Sequence, residues 1–200
     1  MAMNADQMKA AILKYWRYDR QHPLVALEAN SALESWNDGG QADILVVTEE
    51  RQLIETEVKL SIADLRRDKQ KNKHELFHRA FFHRYLIRYP TWHFYFAVPY
   101  ELANQVCLIC DQLYPYAGVL GVKESVGHGD EPTYFEVTSY RNPKQLGYKN
   151  KKLAWRELRN MVRAQSATLC RLSQHVAELR QALKSQYKGQ NEGPGESTRK

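Results

Sequence analysis

An aspartate, Asp43, and after thirteen further residues the triplet Glu57-Val58-Lys59 stand at the edges of apolar runs in "ADILVVTEERQLIETEVKL". Residues two apart on a strand point the same way, so Glu57 and Lys59 share a face, and a hairpin would bring Asp43 alongside them. Two carboxylates and a backbone carbonyl, that of Val58, are hard oxygen donors of the kind Mg²⁺ or Mn²⁺ accepts. Carboxylates so close repel one another unless a cation sits between them. A divalent ion there would polarise a phosphoryl oxygen and make its bound water a better nucleophile. The Lys59 ammonium beside it would orient or deprotonate that water and offset charge building on phosphorus. The competing reading is the charged, wet face of an ordinary strand.

These residues need a hairpin, and the chain around them supplies the signals for one. "ADILVV" reads as a strand, "TEERQ" as a tight polar turn and "LIETEVKL" as the returning strand. On that second strand Ile54, Thr56 and Val58 alternate with Glu55, Glu57 and Lys59, giving one neutral and one charged face. Upstream, Met8, Ile12, Leu13 and Trp16 at three- and four-residue spacing predict an amphipathic helix over about 5–20, stopped by Pro23. "LVALEAN" is a short strand candidate, followed by the glycine turn "WNDGG". Downstream, Ser61 can cap a helix running from Ile62 to about Tyr89, with a break expected near "KQKNKHE". "TWHFYFAVP" predicts a buried strand, "ELANQVCLICDQLYPYA" a helix, "AGVLGVKE" a strand and "TYFEVTSY" an edge strand. The order predicts an α/β fold, a mixed sheet flanked by helices.

Asp43 followed by Glu57-Val58-Lys59 resembles the signature of the PD-(D/E)XK nuclease superfamily, with Gln41-Ala42 where the family's proline would stand. The extension "EVKLSIADLRRDKQK", with Ser61, Asp64, Asp68 and Lys69, together with "FYFAVP" and "GVLGV", resembles more narrowly the MmcB-like DNA-repair group. The resemblance spans roughly residues 22–125. It implies a restriction-endonuclease-like αβββαβ core, Asp43 and Glu57 as metal ligands with Val58, Lys59 as the catalytic lysine and Glu28 as an accessory acid. It also implies a Mg²⁺- or Mn²⁺-dependent hydrolysis of DNA in repair or processing. Two other functions stay open: a nucleic-acid-binding or scaffold protein that keeps the fold without activity, and a restriction or defence endonuclease.

Charge is distributed unevenly. From Arg141 to Lys188 the chain has twelve Lys or Arg against Glu157 and Glu178, so this part is the expected footprint for a polyanion. Lys149, Lys151, Lys152 and Arg156 form its densest run, and Lys69 and Lys73 are candidates to approach phosphates from the helix after Ser61. DNA is the expected partner, with RNA not excluded. Asp64 and Asp68, four apart, read otherwise as a solvated helix start with surface ion pairs. His74, His78 and His83 lie among Phe77, Phe81, Phe82 and Tyr85, a pattern of amphipathic packing rather than metal binding. His128, in a glycine loop, is a candidate substrate contact. Cys107, Cys110 and Cys170 cannot all pair with one another, and Cys107 and Cys110, the pair in "CLIC", are expected to be buried structural thiols.

From about Leu153 to Tyr187 the pattern becomes one long helix. Val162, Leu169, Val176 and Leu183 recur every seven residues, with Leu158, Gln165, Leu172 and Leu179 four before each, the seam of a coiled coil suited to a parallel homodimer. A helix folded against its own domain is the alternative. The organisation expected is a nuclease-like domain over 1–150, the basic helix over 151–188 and a disordered tail over 189–200. With 43% hydrophobic and 26% charged residues and no long apolar run, a cytoplasmic protein without a membrane segment is expected.

Overall fold

The computed structural model describes residues 3–28, 42–83, 91–125, 134–146 and 152–191. The first helix, α1 (Ala5–Lys14), is capped by Asn4, which accepts from the Gln7 amide while the Gln7 side chain accepts from the Asn4 amide. A single π-helical turn, Tyr15–Asp19, extends it and carries Trp16 onto the sheet. The strands are β1 (Leu24–Leu27), β2 (Ile44–Val47), β3 (Leu53–Val58), β4 (Thr91–Pro99), β5 (Gly118–Ser125) and β6 (Tyr134–Arg141). They form one sheet in the order β1-β2-β3-β4-β5-β6. The pairs β1–β2, β2–β3 and β5–β6 are antiparallel, whereas β3–β4 and β4–β5 are parallel. Parallel neighbours need a crossover. Helices α2 (Ile62–Asp68) and α3 (Asn72–His83) supply the first, and α4 (Ala103–Leu113) the second. The α/β architecture and the α-β-β-β-α-β order follow the sequence expectation, including the break between α2 and α3.

Alternation along the strands divides the core into two layers. Ile44, Val46, Ile54 and Val58 face α1, where Met8, Ile12 and Trp16 are buried against them. The Trp16 indole N–H donates to Thr56 Oγ1 at 3.2 Å, satisfying the one polar group on that side of β3. Leu45, Val47, Leu53, Phe94 and Phe96 face the opposite layer, with Leu65, Phe77 and Ile109.

The last helix, α5 (Trp155–Asn191), is continuous over 37 residues. Its start is fixed to the β2–β3 turn, where Leu153 N donates to the Arg51 carbonyl at 2.8 Å and the Arg51 guanidinium lies over the Trp155 ring. Met161 is buried in the core. The Gln165 amide donates to the Val25 carbonyl at 2.7 Å, giving the exposed edge of β1 a partner. Of the pair expected to be buried, Cys110 is buried and Cys107 half-buried; Cys170 is exposed on α5. Among the described residues no helix is long and apolar enough to cross a membrane. Lys149, Lys151, His128 and the tail after Asn191 lie outside the described residues.

Candidate functional site

Three carboxylates come to one end of three neighbouring strands. Glu28 follows β1, Asp43 precedes β2 and Glu57 lies near the end of β3; Leu27 pairs with Ile44, and Ile44 with Thr56. The Glu28 amide donates to the Asp43 carbonyl at 3.0 Å. Asp43 Oδ2 accepts the Val58 amide at 2.8 Å, so this side chain takes the place of a ladder acceptor just beyond the end of β2. Lys9 of α1 joins the first two acids, its Nζ 2.6 Å from Glu28 Oε1 and 3.2 Å from Asp43 Oδ1.

Glu57 turns to the other layer. The charged face of β3, read from sequence as a candidate wet surface, is buried: Glu55, Glu57 and Lys59 are 0%, 2% and 5% exposed. Such burial requires compensation, and the turn between α2 and α3 provides it. Glu57 Oε2 receives Lys59 Nζ at 3.2 Å and Lys71 Nζ at 3.1 Å, and Glu57 Oε1 receives Lys73. Lys73 Nζ also lies 2.6 Å from Glu55 Oε1, while Glu55 Oε2 accepts from the Thr91 hydroxyl at 3.0 Å. Asp68 completes the cluster: its Oδ1 is 2.7 Å from both Lys59 Nζ and Lys71 Nζ. Its Oδ2 is 2.6 Å from His74 Nε2, whose Nδ1 is 2.6 Å from the Tyr116 hydroxyl. A carboxylate can only accept, so the neutral imidazole donates from Nε2 to Asp68 and accepts from Tyr116 at Nδ1.

The electrostatics fix the ionisation. Burial alone would raise the Glu57 pKa, but Lys73, Lys59 and Lys71 outweigh it and hold the group below the usual glutamate value. Burial alone would lower the Lys59 pKa, but Glu57 and Asp68 raise it, so Lys59 is a fixed cation. Burial favours the neutral His74 and lowers its pKa despite the Asp68 carboxylate.

Among the sequence-derived candidates, the structure brings Glu28, Asp43 and Glu57 to one sheet end and sets Lys59 against Glu57. Lys73 is a correction: at 3% exposure it neutralises Glu55 and Glu57 and is not on a phosphate-facing surface. Asp68 likewise is buried, and among the described residues the Asp64–Arg67 pair at 3.6 Å is the surface ion pair within that helix. Lys69 is exposed at the end of α2. Lys152 and Arg156 are exposed beside the β2–β3 turn, at the opposite end of β3 from Glu57. His78 packs as expected from its aromatic neighbours, donating from Nε2 to the Leu113 carbonyl at 2.8 Å. Sequence reasoning missed the contributions of Lys9, Glu55, Lys71, His74 and Tyr116. The one signal available was the three-residue charged face of β3, too polar to be covered by an apolar helix.

The donor types suit a hard divalent ion, but their arrangement does not. Both Glu57 oxygens hold ammonium groups, and Asp43 holds Lys9 and the Val58 amide. Among the described residues no three His, Cys, Asp or Glu side chains are grouped to hold a metal ion. In this arrangement the chain's own lysines stand where Mg²⁺ or Mn²⁺ was expected.

The fold and site define an α/β protein with a six-stranded mixed sheet and a buried carboxylate–lysine cluster under its α2–α3 crossover. No protein-family model matches the chain, and no curated protein matches it. Among solved structures it is similar to a protein of unknown function from Silicibacter pomeroyi, at 14% identity over 98% of this chain and 100% of that one, with a TM-score of 0.49.

Proposed function

We propose that the protein is a phosphodiester hydrolase of the nuclease type acting on DNA, in repair or processing. The observation that carries this reading is that Glu28 and Asp43, joined by Lys9, and Glu57, on the other layer, come to the same end of the sheet, with Lys59 3.2 Å from Glu57 and 2.7 Å from Asp68. Lys59, kept protonated by two carboxylates, serves as a charge stabiliser for a phosphoryl group rather than as a base. Asp68 positions it, and His74 positions Asp68. The exposed Lys69 lies on the turn that follows and suits a backbone phosphate, whereas Lys152 and Arg156 could only reach a substrate long enough to pass along the molecule. The non-catalytic binding reading is favoured by a separate observation, the neutralisation of Glu57 by lysines of the same chain. A panel of labelled single-stranded, duplex and branched DNA and RNA, incubated with Mg²⁺, Mn²⁺ or chelator, tests both. Cleavage lost in Lys59→Ala and in Asp43→Ala supports the hydrolase; full cleavage by Lys59→Ala rejects the mechanism, and binding without cleavage by the unaltered chain leaves the scaffold reading.

A further inference from the structure

The face of α5 that packs on the domain and the face left bare beyond it are one face. Leu158 and Ala164 pack against the core, Met161 is buried within it and Gln165 bonds to β1. Continuing at three- and four-residue spacing, Leu169, Leu172, Val176, Leu179 and Leu183 are between 45% and 59% exposed. Gln165, the polar interruption of the seam, is thus spent on the domain, and apart from Val162, 50% exposed at the margin of the packed face, the free seam begins after it. From Leu169 to the end of α5 the helix extends roughly 34 Å at 1.5 Å per residue. A solitary helix of this length is marginal in water, and an apolar stripe along it calls for cover.

We propose that a second copy of this chain covers the stripe, with the two helices antiparallel. In a parallel, in-register pair the partner helix would run along the seam face over its whole length. At Leu158, Met161 and Gln165 that space is filled by the sheet and core of the same chain, with only Val162, at 50% exposure, left at the margin of the face, and α5 is continuous through this region, so the partner cannot diverge from it. Antiparallel pairing places the two domains at opposite ends and overlaps the free segments, with only the last turn of each helix reaching the cleft rim at Ala164–Thr168 of the other copy. Seating a and d positions against each other then sets Leu172 opposite Leu183 of the second copy and Val176 opposite its Leu179. The overlap covers on the order of 1,200 Å² summed over both chains, at the small end of stable interfaces.

The helix leaves the domain at the end where Glu28 lies. Glu28 and Leu27 line a cleft of about 680 Å³ together with Ala164, Thr168 and Leu172 of α5. In the antiparallel pair the two carboxylate-bearing ends therefore face each other across roughly 28 Å of helix, counted as 19 residues between facing rims. That consequence rests on the carboxylate row described above; the dimer itself does not.

The test uses the full chain with its exposed thiol removed, Cys170→Ser, carrying either Leu172→Cys or Leu183→Cys at solvent-exposed positions. Sedimentation of the Cys170→Ser chain should show a dimer. Mild oxidation of the two cysteine proteins mixed together should give a disulfide-linked heterodimer, while neither alone links to itself. Self-linking of each protein alone would mean a parallel pair and would overturn the proposal, as would a monomer in sedimentation or a mixture that fails to cross-link. DNA cleavage plays no part in the readout, so failure of the hydrolase reading leaves this result standing.

Discussion

Lys59 Nζ stands 2.7 Å from Asp68 Oδ1, although Lys59 precedes α2 and Asp68 is its last residue, so that nearly the whole helix separates them along the chain. Both are buried, and Asp68 in turn is held by His74. The lysine of the charged strand is therefore oriented by the helix that follows it. Replacing Asp68 with Asn keeps the shape but leaves Lys59 and Lys71 sharing Glu57 alone. A loss of about 3 kcal/mol in urea unfolding is expected, in the range found when one partner of a buried ion pair is removed. Unchanged stability would show the pair to be energetically idle.

Lys73 bridges two glutamates in the interior. Lys73→Met should cost about 3–5 kcal/mol by leaving Glu55 and Glu57 adjacent and undercompensated. Adding Glu55→Gln should recover part of that loss, because one of the two buried charges is then gone. The four proteins form a double-mutant cycle; purely additive effects would deny the coupling.

Stability should fall on acidification in two stages of the same sign. His74 is held neutral in the fold, below its ordinary 6.5, so the unfolded chain binds more protons as pH drops through that value and folding weakens. For Asp68, burial alone would raise the pKa, but the His74 hydrogen bond and the Lys59 ammonium hold it well below its ordinary 3.8, so its contribution is complete above about pH 4 and lost beneath it. Urea midpoints measured from pH 8 to 3 should show both stages. In His74→Asn the overall stability drops, but the slope between pH 7 and 5 flattens; an unchanged slope there would assign the titration to another group.

Lys71 is the accessible member of the three lysines at Glu57, with its side chain 41% exposed against 6% for Lys59 and 1% for Lys73. A divalent ion approaching Glu57 from solvent competes first with this ammonium. Lys71→Gln is expected to tighten Mn²⁺ binding about fivefold in calorimetry, the ~1 kcal/mol that a partly exposed ion pair contributes. Glu57→Gln should abolish any such binding. If Lys71→Gln weakens it instead, Lys71 is part of the site rather than a competitor for it.

The legible parts of this protein are those carried by local periodicity. Alternation fixed the parity of Ile54, Thr56 and Val58 against Glu55, Glu57 and Lys59, and turn residues fixed the hairpin, so the approach of Asp43 to β3 was readable from the chain. The spacing of apolar residues likewise marked α1 and α5, and the charged stretch after Asp68 marked the break between α2 and α3. What covered the charged face of β3 was not readable, because it depends on how the crossover folds back. The turn at Lys69 to Lys71 swings Lys71, Lys73 and His74 over strands that lie apart from them in sequence, and Tyr116 arrives from a segment 42 residues beyond His74. The same holds for α5: its heptad pattern specifies a seam, but only the packing of Leu158, Met161 and Gln165 onto the domain decides where that seam becomes free. Periodicity is a property of neighbours along the chain, whereas charge compensation and occlusion are properties of neighbours in space.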